Sequence, residues 1–92
     1  MIIKTIVKKA TGSIRSILFD EGDVLKEKII PFETFIFIVH GKADVVIDGV
    51  HTKLRAGQSI VVPAHTFNSI TALTGIEMLS TIIKSGYEQI SY

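Results

Sequence analysis

The stretch GKADVVIDGVHTKLRAGQSIVVPAHTFNSI, from Gly41 to Ile70, decides the fold. Its first part alternates. Ala43, Val45 and Ile47 fall on one side of an extended chain, and Lys42, Asp44, Val46 and Asp48 fall on the other, the period-two pattern of a strand with one buried face. Asp48-Gly49 then separates DVVI from VHTKL. A pair that tolerates a left-handed backbone, placed between two alternating runs, is the strongest local signal of a two-residue hairpin. After the turn, His51, Lys53 and Arg55 alternate with Val50, Thr52 and Leu54, so His51 belongs to the polar face of its strand. Pro63 ends the next apolar run.

Outside this stretch the same period continues. SIRSILF, Ser13 to Phe19, sets Ile14 and Ser16 against Arg15 and Ile17. TFIFIVH, Thr34 to His40, is apolar at nearly every position, which predicts a strand covered on both faces. GIEMLSTIIK, Gly75 to Lys84, has the length of a short helix, but its β-branched residues favour a strand. Turn signals recur at Gly12, Glu21-Gly22-Asp23, Pro31, His40-Gly41, Asp48-Gly49, Ala56-Gly57, Pro63-Ala64 and Thr74-Gly75. Short strands at such even spacing predict an all-β, antiparallel sandwich or barrel. The final SGYEQISY reads as a trailing arm.

Composition bounds the function. Ninety-two residues make one domain with one core. Ten basic residues against nine acidic ones leave a net charge of +1, so no global field draws the chain to nucleic acid or to an anionic membrane. No Cys is present, which removes disulfides, thiolate catalysis and zinc-thiolate sites and fits a cytoplasmic location. The longest fully apolar run, FIFIV, is far short of a bilayer span. Hydrophobic residues make up 47% of the chain, rich for this length, and predict a homodimer that buries apolar surface from IIKTIV, GIEMLSTII or both.

With Gly41, Gly57 and Pro63 in place, the stretch resembles the core of a cupin, a double-stranded β-helix or jelly-roll barrel. The likeness covers roughly residues 13 to 83 of a single domain spanning 1–92. The second cupin motif runs Gly, five residues, Pro, one residue, Gly, two residues and a metal-binding His. Gly57 and Pro63 keep that spacing, His65 stands at the second Gly, and Asn68 stands at the ligand His. Counting the first motif back from Gly41 puts Thr34 at its Glu. Its two His positions fall on Glu27 and Ile29, or on Lys28 and Ile30 with the shorter spacer. The resemblance therefore implies a cupin barrel whose metal ligands are gone: Ile donates nothing, neutral Thr and Asn are poor ligands, and one acid cannot hold an ion alone. No cofactor is expected.

His40, His51 and His65 lie at separate turns or faces and do not form a replacement site. What the resemblance leaves is a barrel interior with Thr34 and Asn68 pointing inward among Ile36, Ile38 and Ile70, with His65 near the mouth. Such a lining suits a small organic ligand, and it equally suits a barrel filled by its own side chains. The function expected is a metal-free binding or accessory module. Because some cupins are epimerases, the alternative is a metal-independent isomerase, epimerase or lyase acting on a small polar metabolite, with Glu27, Lys28 and Glu33 as its charged groups.

Overall fold

The structure, a computed structural model, describes residues 1–84. The C-terminal arm read from SGYEQISY lies outside them. The described chain forms only strands and turns: β1 (Ile2–Lys9), β2 (Gly12–Phe19), β3 (Val24–Glu27), β4 (Glu33–His40), β5 (Lys42–Ile47), β6 (Val50–Arg55), β7 (Ser59–Val62), β8 (Asn68–Ala72) and β9 (Ile76–Ile83). Two antiparallel sheets, β1-β2-β9-β4-β7 and β3-β8-β5-β6, face each other. Apart from the hairpins β1–β2 and β5–β6, neighbours in a sheet are distant in sequence, because the chain passes back and forth between the sheets as a jelly roll does. Among the described residues no helix is long and apolar enough to cross a membrane.

The hairpin forms where Asp48-Gly49 predicts it. Asp48 has φ 50° and Gly49 φ 82°, the doubly left-handed backbone of a type I′ turn, and Ile47 pairs with Val50 across it. The alternation read in LysAlaAspValValIle also holds: Ala43 and Val45 are fully buried, and each faces a β8 residue across the ladder. β4 departs from expectation. Rather than being covered on both faces, it buries Thr34, Ile36 and Ile38 and leaves Phe35, Phe37 and Val39 half-buried. It sits inside a five-stranded sheet whose outer face has no second layer over it among the described residues, so an apolar run need not mean two-sided cover.

The core lies between the sheets. Ile17 and Phe19 of β2, Ile36 and Ile38 of β4, Ala43 and Val45 of β5, Ile70 and Ala72 of β8, and Ile76 and Met78 of β9 pack against one another. Fully burying each aliphatic side chain contributes about 1.5–3 kcal/mol. One end of this core is closed by backbone. Gly41, at φ 90°, has no room for a Cβ, which would run into the carbonyl oxygen of Gly75. Thr74 braces the same corner: its hydroxyl accepts the N–H of Lys42 at 3.0 Å and donates to the Gly75 carbonyl at 2.9 Å.

Candidate functional site

The other end of the barrel is open. Here the chain between β3 and β4 and the chain between β7 and β8 form the rim, joined where the His65 N–H donates to the Ile30 carbonyl at 2.8 Å. His65 has φ 61°, a left-handed backbone that favours Gly, and it occupies the motif position where a Gly is expected. Its side chain is exposed and does not line the cavity. His65 thus contributes to the rim through its backbone. His40 and His51 are exposed as well, and Nδ1 of His51 pairs with Asp44 Oδ2 at 2.8 Å on the outer surface.

Inside the rim lies a cavity of about 370 Å³. Strand alternation supplies its polar floor. Arg15 shares the inward face of β2 with Ile17 and Phe19, and it pairs across the ladder with Ser80 of β9. Glu27, the last residue of β3, lies opposite Asn68, the first of β8. Thr34 begins the inward row of β4. Thr34, Asn68 and Ser80 are the buried polar side chains of the described chain, and all three belong to the strands that meet at this end.

Arg15 organises the group. Its Nη2 donates to Glu27 Oε1 at 2.7 Å and to Ser80 Oγ at 3.4 Å, with the Arg15 and Glu27 side chains each 23% exposed. Two atoms in this region are buried without a hydrogen-bond partner: the Nε of Arg15 and the Oδ1 of Asn68. Apolar walls come from Ile30, Phe32, Val62 and Ile82, and the Lys84 ammonium lies 5.4 Å from the centre of the Phe32 ring.

Of the residues singled out in the sequence, Thr34 and Asn68 line the cavity, whereas Ile36, Ile38 and Ile70 sit deeper in the packed core and do not reach it. Of the two alternatives for the first motif, only the shorter spacer brings both of its positions to the cavity. Glu27 projects inward while Ile29 is 59% exposed, and Lys28 and Ile30 both lie along the cavity. Arg15 and Ser80 are additions from the structure. Their signal was present in the sequence as polar residues in register with Ile17 and Phe19, and with Ile76 and Met78. The positions matched to a metal's ligands hold Thr, Asn and at most one carboxylate, and that carboxylate is bonded to an arginine. Such a set does not fit a divalent ion. Among the described residues no group of three or more His, Cys, Asp or Glu converges.

No sequence-family model matches the chain, and no curated protein sequence does. Its likeness is to solved structures. A conserved protein of unknown function from Streptococcus pyogenes superposes with a TM-score of 0.84 at 25% identity, covering 90% of this chain and 73% of that one. A cupin superfamily protein from Desulfitobacterium hafniense gives 0.84 at 21% identity over 89% and 75%. A cupin 2 conserved barrel domain protein from Leptotrichia buccalis gives 0.87 at 13% identity, covering 99% of this chain and 46% of its own.

Proposed function

Because the chain has the cupin fold, we propose that it is a metal-free binding or accessory module whose cavity at the barrel mouth takes a small organic molecule. The observation that carries this reading is the cavity of about 370 Å³ at the barrel mouth, with Thr34 and Asn68 among its lining. Pockets for small molecules combine mostly apolar walls with a few placed polar groups. Ligand-induced thermal shift against a metabolite library tests the proposal. A compound that raises the melting temperature of the wild type and fails to do so for Asn68→Leu supports it. No shift for any compound would point to a structural or protein-interaction role. On the donor chemistry, protein exposed to Zn, Mn, Fe or Ni and then desalted retains less than one ion per chain.

The alternative, a metal-independent isomerase, epimerase or lyase, draws on Glu27 and Lys28 along the cavity. It has less support because Oε1 of Glu27 is already engaged by Arg15. Deuterium incorporation from solvent into a bound metabolite, abolished by Glu27→Gln, would favour it.

The expected partner is a second copy of the chain, and the expected location is the cytoplasm. The outer face of the five-stranded sheet supports the dimer. Cross-strand pairing aligns Val7, Ile14, Thr81, Phe35 and Val61 in one row over all five strands, with Leu79 and Phe37 in the row beside it. Sedimentation equilibrium tests this: a species of 10.1 kDa at tens of micromolar protein would rule out the dimer.

A further inference from the structure

We propose that the molecule held at the barrel mouth is a small organic acid that also carries a hydroxyl or amide N–H. Its carboxylate is bound on the Arg15 side and its donor by the Oδ1 of Asn68. The inference rests on the binding reading above and adds the chemistry of the ligand.

Charge gives the first half. The cavity is lined by three cations, Arg15, Lys26 and Lys28, and by one carboxylate, Glu27. Glu27 is bonded to Arg15, and among the described residues neither lysine has an ion-pair partner. The mouth therefore carries a surplus of two positive charges, on a chain whose total is only +1. A guanidinium presents five N–H donors in a planar fork. Here Glu27 and Ser80 hold the fork through Nη2, which fixes its orientation, while the Nε–H is buried without an acceptor. A carboxylate placed along the fork supplies that acceptor.

Asn68 gives the second half. It is 4% exposed, it lines the cavity, and its Oδ1 has no partner. An amide oxygen only accepts, so an ionised carboxylate leaves it unsatisfied; a hydroxyl or N–H on the same molecule does not. The apolar side chains of Ile30, Phe32, Val62 and Ile82 then take the carbon skeleton. Ligand charge is set against Lys26, Lys28 and Arg15, and ligand donor is set against Asn68.

The experiment uses lactate, malate, 3-hydroxybutyrate and mandelate. Each is titrated beside its methyl ester and the acid lacking the hydroxyl, following amide chemical shifts in labelled protein. At least one hydroxy acid is expected to bind roughly tenfold or more tightly than its ester, the effect of losing a hydrogen-bonded charge pair. Arg15→Met removes the preference for the acid, and Asn68→Leu removes the preference for the hydroxyl. Because Arg15→Met leaves Glu27 without its partner, Lys28→Gln at an exposed position serves as the second variant and weakens the acid while leaving its ester unchanged. Esters binding as tightly as acids, or Lys28→Gln weakening both equally, would overturn the proposal while leaving a small-molecule site in place. If no compound in the set perturbs a residue of the cavity, the proposal falls; the binding reading beneath it falls only if the metabolite library also gives no thermal shift.

Discussion

The two ends of the barrel are built from the same strands and behave as different materials. Along β2, Ile17 and Phe19 are sealed into apolar packing, while Arg15, two residues earlier on the same face, sits in a charged cluster. Along β8, Ile70 and Ala72 belong to the core, while Asn68 leaves an oxygen without a partner. Along β9, Met78 is fully buried among aliphatics, while Ser80, equally buried, meets a guanidinium. Toward the closed end these strands pack aliphatic and aromatic side chains against one another. The mouth has polar groups with capacity left over, and that difference separates a core from a site.

Truncation should divide the two ends sharply. Ile38→Ala, at a residue with no exposed surface, is expected to cost about 2–5 kcal/mol, read from urea unfolding; a loss below 1 kcal/mol would mean the closed end is not packed as described. Next in size is the ion pair. Arg15→Met leaves a largely buried carboxylate alone and should cost about 1–2 kcal/mol, a figure reduced from that of a fully buried pair because both side chains keep some solvent contact. In the double variant with Glu27→Gln most of that loss should return, and a double-mutant cycle with no coupling would break the cluster apart.

Smaller effects come from the rim. His65→Gly removes the penalty of a left-handed backbone on a residue with a Cβ and should stabilise the protein by up to about 1 kcal/mol, while keeping the N–H that bonds Ile30. Asn68→Leu tests the comparison most directly. Asn68 is about as buried as Ile70, yet replacing an unsatisfied amide by an aliphatic of similar size should change stability by less than about 1 kcal/mol; a loss as large as that of Ile38→Ala would make it part of the core. The least effect lies at the turn beyond β2. The Asp23 carboxylate accepts the Asp20 N–H at 2.9 Å, which holds its pKa below the usual 3.8. A lowered folded pKa adds stability above the ordinary value and loses it as pH falls through the lowered one. Asp23→Asn should therefore lower the melting temperature slightly at pH 7, and by progressively less as the pH falls below 3.8.

The sequence carried most of the fold because strand alternation and turn chemistry are local. Asp48-Gly49 needs no distant partner to form its turn, and Ala43, Val45 and Ile47 announce their face by spacing alone. What β4 packs against depends on the number of layers, and an apolar run cannot report that. The site was legible where a motif gave a count: Thr34 and Asn68 were reached by spacing from Gly41 and Gly57. Ile36, Ile38 and Ile70 share the inward face with them but lie deeper along the barrel axis, a coordinate that alternation does not encode. Arg15 was visible on the wrong-looking side of its strand, in register with Ile17. Its partner Glu27 lies twelve residues away, and only the closed barrel makes the pair.

A guanidinium at the mouth has consequences for supply as well as for geometry. An ion must be acquired, can be lost to a competitor, and leaves some copies of a protein empty when it is scarce. Arg15 is present in every copy as soon as the chain is made and is indifferent to chelators. Nor can it change oxidation state or exchange its inner neighbours for a reacting molecule. Any molecule that enters the mouth therefore meets the same fixed charge in every copy of the protein.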